Sequence, residues 1–219
     1  MVPKMRKDKQ RLPGHCSLFG RRSLKSILSG LIAAKRRTVE LDMNKATRVA
    51  LLRGINVGGK NILPMARLRE IAISLGYKGV QTYIQSGNLV FESSRTVSKL
   101  TSELASAIEA EFGFAVPTIV LTGAELPDAV RKNPWSEAEP KALHLGVLSK
   151  KPSEKQLVAV PEIDSGDDQW RCDGRFVYFY CPNGLARTKL TSTFFERHLS
   201  AKMTVRNWKT TQKLIEMFS

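Results

Sequence analysis

The chain has too little cysteine to be held together by it. Cys16, Cys172 and Cys181 form no CxxC pair and match no histidine at a metal-ligand spacing, so neither a disulfide framework nor a metal site is expected. Cys172 and Cys181 flank a predicted hairpin turn, one beside the turn and one far along the second strand, so they are not expected to face each other. A reducing cytoplasm is the expected setting. Long apolar runs are missing too. The nearest to the ~20 residues that span a bilayer is Ile27-Leu28-Ser29-Gly30-Leu31-Ile32-Ala33-Ala34, bracketed by Arg21-Arg22 and Lys35-Arg36-Arg37, and no membrane partner is expected. Histidine is scarce: His15, His144 and His198, none with a serine or cysteine at an activating spacing. The acid pairs Glu162/Asp164 and Asp167-Asp168 fall in a predicted loop. No catalytic set emerges, whether the protein is an enzyme stays open, and no cofactor is expected.

Acid is the remaining shortage. Across 219 residues there are 20 Asp/Glu against 35 Lys/Arg, a net charge of +15. Residues 1–42 hold 11 Lys/Arg against 3 Asp/Glu, which leaves 24 against 17 for the rest, so the excess is +8 and +7 respectively. The first stretch is therefore set apart as a basic leader, expected to be disordered and of the kind an upstream start codon adds, with Met43-Asn44-Lys45 reading as a natural beginning. The remainder is only mildly basic, which suits an anionic ligand without demanding a nucleic-acid polymer. Its 42% apolar and 25% charged content is that of a chain with a real core.

What is present falls into two stretches with one order. Strand, helix, hairpin, helix and strand are expected near 48–53, 64–75, 80–84 with 89–92, 97–112 and 117–121. The same order recurs near 142–148, 153–160, 169–172 with 175–181, 191–199 and 203–206, followed by a closing helix over 208–218. This is the split βαβ order written twice, so the expected fold is α+β, two ferredoxin-like (βαββαβ) units over 43–122 and 141–219. Residues 123–140, with Pro127, Pro134 and Pro140, join them. The two units lie either side by side or share a face.

In such a plait the first strand lies antiparallel beside the third, so its end meets the start of the third. That brings Arg53-Gly54-Ile55-Asn56-Val57-Gly58-Gly59-Lys60-Asn61 to the same sheet edge as the turn Gln85-Ser86-Gly87-Asn88. The pocket expected there is lined by Arg53, Asn56, Lys60, Asn61, Gln85, Ser86 and Asn88, with no acid among them. Gly58 and Gly59 offer backbone amides as an anion nest, and Arg53 and Lys60 supply charge. In Arg206-Asn207-Trp208, Asn207 resembles an N-cap for the closing helix and Trp208 its apolar first-turn anchor. Arg206 is placed to reach this pocket if a pseudo-twofold axis relates the halves.

The motifs LLRGINVGG (51–59), TYIQSGN (82–88) and TVRNW (204–208) together resemble the signature of a widespread bacterial family, domain-of-unknown-function family 1697, over about Asn44 to Ser219. The resemblance implies a two-part ferredoxin-like fold and brings no activity with it. Its signature positions fall on Arg53, Gly54, Asn56, Gly58, Gly59, Gln85, Gly87, Asn88, Arg206, Asn207 and Trp208.

Three chemistries compete for these motifs. Gly54 to Lys60 satisfies GxxxxGK, but Asn61 follows where a hydroxyl must hold magnesium, and the helix starts too late for a nucleotide P-loop. RNA binding on the second sheet draws on Phe176, Tyr178 and Tyr180, which alternation places opposite Val177 and Phe179. The competing expectation is that both sets are core. The expected function is thus binding of an anionic, phosphate-bearing small molecule at the Gly-rich loop. The alternatives are a nucleic-acid-binding sheet, or an architectural signature in which Arg53 pairs with a carboxylate between the halves.

Overall fold

The computed structural model describes residues 47–218; the expected leader over 1–42 lies outside them. The first half runs β1 (Thr47–Leu52), α1 (Met65–Ser74), β2 (Lys78–Tyr83), β3 (Asn88–Glu92), α2 (Val97–Phe112) and β4 (Thr118–Thr122). After α3 (Glu125–Arg131) the second half follows as β5 (Leu143–Leu148), α4 (Glu154–Val158), β6 (Gln169–Asp173), β7 (Phe176–Tyr180), α5 (Ser192–Leu199) and β8 (Met203–Asn207), and α6 (Trp208–Glu216) closes the chain. Each half forms a four-stranded sheet, ordered β2-β3-β1-β4 and β6-β7-β5-β8. Every pairing is antiparallel, so the two halves are α+β units of the expected βαββαβ type.

Local chemistry accounts for the elements. Leu100, Leu104 and Ile108 place one buried stripe along α2, the Thr96 side chain caps its start, and Gly113 ends it at φ 75°. In α1, Pro64, expected as the first helical residue, is instead the N-cap, one place ahead of Met65, because its extended ψ of 135° lies outside the helix. β2 begins at Lys78, earlier than expected, because an irregularity between Lys78 and Gln81 absorbs Gly79 at φ 56°.

The halves share a face. Ala50, Leu52, Leu89 and Phe91 pack under α1 and α2, while Val49, Leu51, Val90 and Leu121 face the other way. There they meet Leu145, Val147 and Tyr178 of the second sheet, with Trp208 and Leu214 of α6. Val177, Phe179 and Met203 pack on the far side against Phe195 and Leu199 of α5. Both aromatic sets of β7 are therefore core. All six residues of β1 are buried, as a strand covered on both faces requires.

Candidate functional site

Two loops meet where β1 ends. The turn before β3 is drawn against β1 by a bond from the Leu52 N–H to the Gly87 carbonyl at 2.8 Å. Gly87 sits at φ 73°, and a Cβ there would lie 2.6 Å from the Leu52 Cβ, so both conformation and space require glycine. The loop after β1 folds back as a small hairpin: Asn56 N–H donates to Asn61 O at 3.1 Å and Lys60 N–H to Val57 O at 3.0 Å. Gly58 and Gly59 both have positive φ, 58° and 72°, which makes a type I′ turn.

The amides expected to face a ligand brace these loops instead. Asn56 Nδ2 donates to Leu63 O and to Gln85 O, both at 2.9 Å, and its Oδ1 accepts from Leu63 N–H at 2.8 Å. Asn61 Nδ2 holds Gly54 O. Asn88 is fully buried, donating to Tyr83 O and Ser86 Oγ. Gly58, Gly59, Lys60 and Gln85 lie exposed. Asn207 caps α6 by accepting from Thr210 N–H at 2.8 Å, and Trp208 is buried in the shared core.

Arg206 comes from the other half and joins both loops. Its Nε donates to Asn88 Oδ1 at 2.5 Å, its Nη2 to Leu52 O at 2.7 Å and Ser86 O at 3.0 Å, and its Nη1 to Thr204 Oγ1 and Val205 O. All five N–H groups meet neutral oxygens. Burial without a carboxylate pushes the guanidinium pKa down to about 10.

Arg53 is the second cation. Its Nη1 donates to Glu196 Oε1, and that carboxylate also accepts from Met203 N–H at 2.7 Å. Burial works to raise the Glu196 pKa, but the bonds from Arg53 and Met203 prevail and hold it below the usual carboxylate range. No acid stood among the lining residues expected from the sequence, but the architectural alternative had Arg53 pair with a carboxylate between the halves, and Glu196, 143 residues along, is that carboxylate.

Between these groups runs a groove of about 230 Å³, lined from the first half by Leu52 to Ile55, Val57 and Ser86, and from the second by Ser192 and Met203 to Arg206. Of the expected site residues, Arg53, Ser86 and Arg206 line it. Sequence reasoning missed Glu196, Ser192 and the β8 residues beside Arg206, because only the packing of the halves brings them here. The site holds two guanidinium groups and one carboxylate, an excess of one positive charge in a partly buried place. Ser192, in the first turn of α5, adds the positive end of a helix dipole.

The family model described as "Protein of unknown function (DUF1697)" matches residues 45–178, which include Arg53 to Asn88 and stop before Glu196 and Arg206. Among solved structures, the chain is similar to the conserved bacterial protein SP0830 from Streptococcus pneumoniae. That match has 25% identity and a TM-score of 0.66, and it covers 80% of this chain and 99% of that one. No curated protein matches.

Proposed function

The chain belongs to the DUF1697 family, whose description carries no activity, and from its groove we propose that it binds a small anion bearing a phosphate or carboxylate group. The observation that carries this reading is the charge imbalance: Arg53 and Arg206 line the groove against Glu196 alone. The roles differ. Arg206 is saturated by neutral acceptors and supplies fixed positive potential from behind the wall. The Arg53 side chain makes one hydrogen bond among the described residues, through Nη1, and is 30% exposed, so Nε and Nη2 are its remaining donors for an incoming oxyanion. Ser86 and Ser192 contribute hydroxyls.

Calorimetric titration of the full chain with inorganic phosphate, methyl phosphate, acetate and a short single-stranded RNA tests this. The expected result is saturable binding of a small anion, weakened at least tenfold in Arg53→Ala. If only the RNA binds, with an affinity that falls steeply with salt as counterion release requires and is unchanged by Arg53→Ala, the partner is a polymer on the basic surface and this reading fails.

A further inference from the structure

The groove is amphipathic. Its charge lies at Arg53, Arg206 and the start of α5, Ser86, Ser192 and Thr204 add polar groups, and Val57 and Val205 give it an apolar wall backed by the buried Ile55 and Met203. Val57 is 66% exposed although it lines the groove. Three of the five exposed large hydrophobic residues among those described, Val57, Ile62 and Ile84, sit on the two loops that Asn56 ties together. Ile84 is held there at φ 47°, a left-handed conformation that a β-branched residue rarely adopts.

A bare inorganic anion would leave that apolar wall in water. A nucleotide would need a stacking platform, and no aromatic residue among those described lines the groove. A volume of about 230 Å³ also falls below the ~300 Å³ at which pockets for drug-sized ligands begin. Resting on the anion-binding reading above, we infer that the ligand is a small amphipathic anion, a phosphate or carboxylate head on a short alkyl body. The head sits on Arg53 and the body lies against Val57 and Val205. Such a ligand removes apolar surface from water on both sides, and each buried methylene tightens binding by up to about fourfold.

The test is calorimetric titration of the full chain with inorganic, methyl, butyl and hexyl phosphate, repeated on Val57→Ser. Val57 touches its loop through its backbone carbonyl, which the substitution keeps. The expected result is affinity that climbs from methyl to butyl phosphate in the native chain and hardly changes along the series in Val57→Ser. Equal affinity of the native chain for methyl and butyl phosphate overturns the amphipathic ligand and leaves the anion site standing. No binding of any of the four overturns both. Sedimentation with phosphatidic-acid vesicles separates the two sources of such a head group: dependence on Arg53 assigns a membrane-held lipid, indifference to Arg53→Ala a free molecule.

Discussion

Arg206 has left water without gaining an anion, and five neutral acceptors around it make that tolerable. Removing the side chain strands Asn88 Oδ1 and the carbonyls of Leu52 and Ser86. Leaving buried neutral acceptors without their donor costs about 1–3 kcal/mol. Arg206→Ala is expected to lose that much in urea unfolding at an unchanged slope. Arg206→Lys is expected to recover less than half, because an ammonium has three donors and no planar fork; full recovery by lysine would mean that charge, not geometry, holds the halves. TVRNW marked this arginine as part of a signature, but its partners were not legible. Its acceptors in the first half lie at least 118 residues away and include the carbonyls of Leu52 and Ser86, and a carbonyl has no sequence code. Gly58-Gly59 teaches the opposite lesson. A glycine pair between strand-like residues is a turn signal, and the turn is there, closed by Lys60 N–H on Val57 O.

At the level of elements, the strand and helix order could be read almost throughout, because caps and periodicity agree. Thr96, Gly113 and the stripe of α2 point to the same helix. What pattern alone does not show is how an edge strand is protected. β4 and β8 are edge strands, and each has one outward carbonyl held by an arginine and one outward amide held by a glutamate. Arg175 Nη2 donates to Val120 O at 3.2 Å and Glu125 Oε2 accepts from Thr122 N–H at 2.8 Å. On β8, Arg206 holds Val205 O and Glu196 accepts from Met203 N–H. Arg175 and Glu125 also lie 3.6 Å apart. These side chains occupy the positions that a foreign strand would take. The double variant Arg175→Ala/Glu125→Ala is expected to self-associate at concentrations where the native chain elutes as a single species, as light scattering would show. An unchanged elution profile would mean that the edge is guarded by packing alone.

For the whole molecule, the repeated plait was legible, but whether the halves lie side by side or share a face was left open, although β1 carried the signal. Val49-Ala50-Leu51-Leu52 is apolar at every position, which is how a strand covered on both sides reads; the structure buries all of β1 between α1 and α2 on one side and the second sheet on the other. The candidate site exists because of that arrangement, with one wall from each half, so its acid and half of its lining could not be found from either half alone. None of the helices among the described residues is long and apolar enough to cross a membrane. The central claim is that the Arg53–Glu196 pair is a ligand site in its resting state as well as a joint between the halves. Urea unfolding of the native chain, Arg53→Ala and Glu196→Gln, each with and without methyl phosphate, tests it most directly. The account predicts that methyl phosphate at a hundred times its dissociation constant adds about 2.7 kcal/mol to the native chain. At the same concentration it should add more to Glu196→Gln, where the competing carboxylate is gone, and nothing to Arg53→Ala. If methyl phosphate moves none of the three while Arg53→Ala alone loses several kcal/mol, the pair only joins the halves and the ligand site is contradicted.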